Sequence, residues 1–319
     1  MTDTQKEVFK TPVNKIRLFE HGAPGSQNLK LTRKYYTEDM PDGRVKHIVQ
    51  NITDPDIVPY IPDGIGNSTD RQRIPAVLII PGGAFRRLVY NFEGEDVAKW
   101  LNSMGIAAFV LECRLPSDEH DNAEDVPLID AMRAMRVIRG RAQEFGIDEA
   151  KIGVMGFSAG GSYEHLEDYS YEGLARMYAD YKYKDEYDKL SARPDFAVCS
   201  YPVISIDDCI EAGKRYMSEE QVLERISDSK AKILHKYNPD KLVRPDMPPV
   251  FICETDDDRT TLSENSVGFY MAARKAGVSA ELHIFRTGGH GYGCGDDFAQ
   301  TGEWKVLFTK WIKSIGIIS

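Results

Sequence analysis

Cysteine is scarce in this chain, with five among 319 residues. The count is odd, and Cys113, Cys199, Cys209, Cys253 and Cys294 include no close pair of the kind that holds zinc, so neither a disulfide scaffold nor a cysteine metal site is expected. Cys113, Cys199 and Cys253 stand in apolar runs, where a reduced thiol packs as a small hydrophobe. Positive charge is in deficit as well. Forty Lys and Arg face 50 Asp and Glu, a net charge of -10 that argues against nucleic acid or an anionic membrane surface as partner. Long apolar runs are missing: no stretch approaches the ~18 residues of a membrane span. The opening "MTDTQKEVFKTPVNKIRLFE" lacks the apolar segment of a secretory signal. A soluble, cytoplasmic protein with no membrane partner is the expectation.

Two ligand motifs are lacking too. Neither "PGGAF" (81–85) nor "GFSAGG" (156–161) has the Lys-Ser/Thr ending or the G-x-G-x-x-G spacing of a phosphate cradle, and the run Asp256, Asp257, Asp258 lacks the spaced carboxylates of a calcium loop. No metal and no cofactor are expected, and no internal repeat is present.

What is there is a regular alternation from residue 75 onward. Short apolar runs, "PAVLIIPGG" (75–83), "GIAAFVLEC" (105–113), "KIGVMGF" (151–157), "DFAVCSYPVI" (195–204), "PPVFICET" (248–255) and "AELHIF" (280–285), read as buried strands. Between them, apolar residues recur at helical spacing: Val97, Trp100, Leu101 and Met104, then Leu128, Met132, Met135, Ile138, Ala142 and Phe145 opposite Arg133, Arg136 and Arg139. A helix over about 264–276 ends at Gly277, and Trp304, Phe308, Trp311 and Ile315 mark a last one. The fold class that follows is α/β, a doubly wound parallel sheet with helices on both faces, in a single domain over 1–319. Residues 1–72 read as N-terminal edge strands ("KIRLFE", "VKHIVQ") and loops, with "DPDIVPYIPDGIGNSTD" (54–70) irregular. Residues 162–190, which hold seven tyrosines, and 206–245 break the alternation beyond strand ends; they are expected to form a small cap over a crevice there.

The chemistry centres on "GVMGFSAGGS" (153–162). A serine hydroxyl is a weak nucleophile at neutral pH unless a base takes its proton and a third group holds that base. Gly156-Phe157-Ser158-Ala159-Gly160, after a strand, matches the sharp turn that exposes a nucleophile. His290 in "GGHGYG" follows the last strand, and Asp256, Asp257 and Asp258 follow "VFICET", which is the chain order serine, acid, histidine. Any of the three aspartates could reach the histidine; Asp258 is preferred over Asp257. The turn "PGGAF" follows the first parallel strand, so the amides of Gly83 and Ala84, with that of Ala159, are candidate oxyanion donors.

These stretches, with "EGEDVAKWLNSMGIAAFVLECRLP" (93–116), "ARPDFAVCSYPVIS" (192–205) and "ENSVGFYMAARKAGVSAELHIFRTGGHGYG" (264–293), resemble the acetyl xylan esterase-like branch of the α/β-hydrolases, akin to the catalytic domains of prolyl oligopeptidases. The resemblance implies the α/β-hydrolase fold, with Ser158 as nucleophile, His290 as base and Asp258, eight residues before Ser266, as acid. The family often has Pro-Gly-Gly-Gly-Tyr at 81–85, histidine at Ser162 and Val-Pro at Thr261-Leu262. These departures are expected to alter the pocket wall, and so the substrate. The function implied is a serine esterase removing short acyl groups, chiefly O-acetyl, from sugars or xylo-oligosaccharides. Its partner would be a small-molecule ester, and a homo-oligomer is a family-level expectation. The alternatives are a single-domain peptidase or amidase of the prolyl oligopeptidase type, and a non-catalytic α/β-hydrolase that binds a small ligand.

Overall fold

The computed structural model describes residues 9–10, 13–65, 73–121, 123–163, 185–205, 210–211, 213–215, 218, 220, 239–296 and 300–319. The strands are β1 (Ile16–Arg17), β2 (Lys34–Asp39), β3 (Val45–Gln50), β4 (Asp56–Tyr60), β5 (Ile74–Ile80), β6 (Leu88–Val89), β7 (Ala107–Glu112), β8 (Ile147–Phe157), β9 (Ala197–Ser200), β10 (Val250–Thr255) and β11 (Ala280–Phe285). Among the helices are α1 (Asp96–Ser103), α2 (Val126–Gly140), α3 (Ala142–Phe145), α4 (Pro239–Leu242), α5 (Ser263–Ala276) and α6 (Trp304–Ser314).

Every residue of β7 and β10 is buried, as continuous apolar runs require when helices cover both faces. These runs lie in one sheet of order β1-β4-β7-β5-β8-β9-β10-β11. The neighbours from β7 to β11 are parallel, and β4 and β1 add antiparallel at one edge. β8 sits at the middle, with its carboxyl end between those of β5 and β9. A second antiparallel sheet, β2-β3-β6, holds the "VKHIVQ" strand. On one flank Trp100 of α1 meets Trp304 and Phe308 of α6 edge-on, with ring centroids 4.8 and 5.4 Å apart. Such aromatic pairs add to the burial that holds helices on a sheet.

One expectation needs correction. Residues 56–60, read as part of an irregular loop, are β4, paired along their whole length with β7. The proline hid the strand: Pro59 is tolerated because β1 covers only Asp56 and Ile57, leaving the other side of Pro59 free of a ladder. The arginine face of α2, opposite its apolar one, is covered as well. Arg133 and Arg136 are buried under the returning chain, where Arg133 pairs with Asp185 and Asp188 and Arg136 donates to the Leu190 carbonyl. The proposed cap falls for the most part on residues 164–184 and on 206–238, which lie largely outside the described residues. Cys113, Cys199, Cys253 and Cys294 are buried, and they form no disulfide among the described residues. Among the described residues no helix is long and apolar enough to cross a membrane.

Candidate active site

β8 ends in a turn that sequence alone suggests and backbone geometry makes specific. Ser158 has φ +53°, a left-handed value that costs a non-glycine residue of order 1 kcal/mol and is kept only where the surroundings enforce it. Here the enforcement is close packing: a Cβ on Gly160 would collide with the Ile80 carbonyl, and one on Gly161 would sit 2.7 Å from Cβ of Pro202. The turn therefore holds the Ser158 hydroxyl at the carboxyl end of the sheet, where open α/β folds place their crevices. Its Oγ lies 2.8 Å from Nε2 of His290.

His290 is carried there by a loop whose glycines adopt positive φ, among them Gly289 at +63° and Gly291 at +78°. Its Nδ1 lies 2.7 Å from Oδ2 of Asp258. The three adjacent aspartates separate cleanly. Asp258 is buried and faces the imidazole; Asp257 accepts the amides of Gly288 and Gly289; Asp256 accepts the Ser263 hydroxyl. Burial works to raise the Asp258 carboxyl. The His290 charge and hydrogen bond, with the Thr261 and Thr260 amides, outweigh it and hold Asp258 below the usual carboxylate range. Thr261 also donates its hydroxyl to Asp258 Oδ2 at 3.0 Å. Thr261 is one of the departures from the family pattern, and its hydroxyl contacts Asp258.

Behind Asp258 stands Glu254, buried at the end of β10 and accepting the Thr255 amide and the Ser266 hydroxyl. Burial, then the charge of Asp258, pushes its carboxyl well above the usual range.

The turn after β5 leans against the serine turn, since a Cβ on Gly82 would lie 2.7 Å from Cβ of Ser158. Gly83, Ala84 and Phe85 have φ of +140°, +57° and +62° in succession. Strain of this kind in two non-glycine residues aims backbone groups unusually. Ala159 is the second residue of a 3-10 turn (Ser158–Tyr163), where a backbone N–H has no partner within the turn. A small cleft borders Gly83 and Ala159, with Phe85, Leu88, Cys113 and Leu115 among its apolar walls and Arg87 and Arg114 also lining it.

Two groups here are not marked in the sequence. Glu93, in a π-helical turn (Asn91–Glu95) before α1, accepts the Gly82 amide at 2.8 Å and the Tyr201 hydroxyl at 3.1 Å. Tyr201 lies edge-on to His290, with ring centroids 5.0 Å apart. The only hint is position, just after the glycine turn and just after β9, because nothing local marks a carboxylate for burial.

Residues 65–272 match the BD-FAE family. The chain belongs to this family. Over 242 residues, 75% of its length, it is 31% identical to an acetylxylan esterase of Xylanibacter ruminicola, and over 72% of its length it is 31% identical to endo-1,4-beta-xylanase B of Butyrivibrio fibrisolvens. It spans less than half of either curated relative, 45% and 34%. A solved acetyl ester-xyloside bifunctional hydrolase from Caldicellulosiruptor lactoaceticus superposes on 96% of this BD-FAE chain and 97% of its own, with a TM-score of 0.69 and 33% identity. The fold is that of the α/β-hydrolases.

Proposed function

We propose that this BD-FAE chain is an enzyme, a serine carboxylesterase, and that Ser158, His290 and Asp258 are its triad. The observation that carries the reading is the unbroken line of hydrogen-bond contacts, 2.8 Å from Ser158 to His290 and 2.7 Å from His290 to Asp258. An ionised Asp258 keeps the proton on Nδ1 and leaves Nε2 free to accept the serine proton as Oγ attacks the ester carbonyl. The alkoxide that develops on that carbonyl is met by the amides of Gly83, Ala84 and Ala159. His290 then gives its proton to the leaving alcohol, and a water activated by the same ring releases the acid.

A carbonyl held by those amides places its acyl substituent beside the cleft they border, whose walls suit a short apolar chain. The names of the relatives support acetyl esters of xylose-based sugars as substrates. The test is acetate release from acetylated xylo-oligosaccharides and from nitrophenyl acetate by the wild-type protein and by Ser158→Ala. Activity on both that falls about 10⁶-fold in kcat in the variant supports the reading. Turnover of the nitrophenyl ester alone would discard the sugar; equal turnover of amide and ester analogues would favour a peptidase; no turnover would overturn the enzyme.

A further inference from the structure

Glu93 is a buried carboxylate at the meeting point of the loops that build the site. It is 4% exposed, and its partners are neutral donors rather than a Lys or Arg. Oε2 takes the amide of Gly82, the residue before the candidate oxyanion donor Gly83. Oε1 takes the hydroxyl of Tyr201, which in turn accepts the amide of Gly293 at 3.0 Å, three residues beyond His290. Gly291, directly after His290, also comes close, because a Cβ there would stand 4.0 Å from Oε1. One carboxylate therefore spans the oxyanion turn and the histidine loop, and Tyr201 closes the circuit by packing its ring against the imidazole.

A purely structural bridge here could be neutral, since an amide side chain would also accept the Gly82 N–H. A buried anion is costly unless a cation compensates it. Burial indeed pushes the Glu93 carboxyl up, and the first opposing influence is the charge on His290. His290 carries that charge when it has taken the proton from Ser158, so Glu93 then meets a cation in addition to the more weakly acting Lys46. An interaction stronger in the transition state than in the ground state raises kcat.

We propose that Glu93 is a positioning residue that locks the oxyanion turn and the histidine loop together and supplies a second negative charge to the protonated imidazole, without touching substrate. The proposal rests on the reading of Ser158, His290 and Asp258 given above. The groups facing His290 are Ser158, Asp258 with Glu254 behind it, Thr261, Tyr201 and Glu93; Tyr292 packs on Tyr201. Of these, Asp258, Glu93 and Glu254 carry carboxyl groups: Asp258 bonds the ring, Glu93 reaches it through Tyr201, and Glu254 stands behind Asp258 with its carboxyl raised by burial and by the Asp258 charge.

The experiment compares Glu93→Gln and Tyr201→Phe with wild type on nitrophenyl acetate across pH, together with melting temperature and fluorophosphonate labelling. Glu93→Gln keeps the shape and an acceptor for Gly82 but removes the charge. Its melting temperature should stay at or above that of wild type. Its kcat should fall 10- to 100-fold at a KM within threefold, and the acid limb of its kcat/KM profile should move to lower pH. Tyr201→Phe breaks the link to Gly293 and keeps the charge, so kcat should fall several-fold with the acid limb unmoved. Labelling of wild type at Ser158 with an unchanged kcat in Glu93→Gln would overturn the proposal while sparing the triad. A fall in kcat without movement of the acid limb would overturn the electrostatic role. Wild type that is not labelled at Ser158 would overturn the triad and the proposal with it.

Discussion

Asp257 and Asp258 are consecutive, yet they hold the histidine loop by different atoms. Asp257 Oδ1 accepts the amides of Gly288 and Gly289 at 3.0 and 2.8 Å, while Asp258 Oδ2 lies 2.7 Å from the imidazole itself. The turn after β10 thus anchors both the backbone of the loop and the ring it carries.

Asp258→Asn should lower kcat by about 10⁴-fold, because an amide N–H facing Nδ1 favours the tautomer that cannot accept from serine. Asp257→Asn keeps one carbonyl oxygen for the two glycine amides and should cost less than about 10-fold. Steady-state kcat on nitrophenyl acetate measures both, and the reverse ranking would move the acid to Asp257.

Glu254→Gln tests the opposite kind of carboxyl. Burial and the Asp258 charge push the Glu254 carboxyl well above its ordinary value of 4.5, so a neutral isostere should keep kcat/KM within about threefold. A raised folded value means that its contribution to stability is present below about 4.5 and is lost as pH rises through the folded value. The melting temperature of Glu254→Gln relative to wild type should therefore climb as pH is raised from about 4.5. A flat difference would mean that the wild-type group is ionised throughout.

Leu115, a buried wall of the cleft beside Gly83 and Ala159, should limit acyl length. Truncation to Ala opens room for about two methylenes at about 0.8 kcal/mol each, so the kcat/KM ratio of butyrate to acetate ester should rise about 10-fold. An unchanged ratio would place the acyl group elsewhere.

The loop after β7 carries two groups of opposite pH response. Burial pushes Asp118 up to about 6, and burial with the Arg114 charge pushes His120 down to about 4. Asp118 favours the folded state at low pH and loses that contribution as pH rises from about 4 to about 6. His120, neutral when folded and protonated when unfolded, costs stability as pH falls from 6.5 to about 4. The two slopes oppose each other. Relative to wild type, Asp118→Asn should lose melting temperature on acidification over this range and His120→Asn should gain it. Equal slopes for both variants in a thermal-melt series would refute the assignment.

Local pattern in the amino-acid sequence carries a good part of the molecule: buried strands from continuous apolar runs, α5 ending at Gly277, and the serine turn followed by acid and histidine in order. Those features depend on residues within a few positions of one another, where period, turn chemistry and burial act together. β4 is hidden by a proline whose tolerance depends on how far a two-residue neighbour, β1, extends beside it. The arginine face of α2 has the pattern of a solvated surface, and only its cover by residues 185–190 makes it a buried one.

The amino-acid sequence by itself determined the doubly wound sheet, the sharp serine turn and a choice among three aspartates. Only the tertiary structure decided that Asp258 faces the ring while Asp257 binds its loop, and that Glu93 and Tyr201 join turns more than 100 residues apart in the chain. The physical reason is range: hydrogen bonds and desolvation act over a few ångströms of space, and which distant residues come that close is set by the packing of the whole sheet.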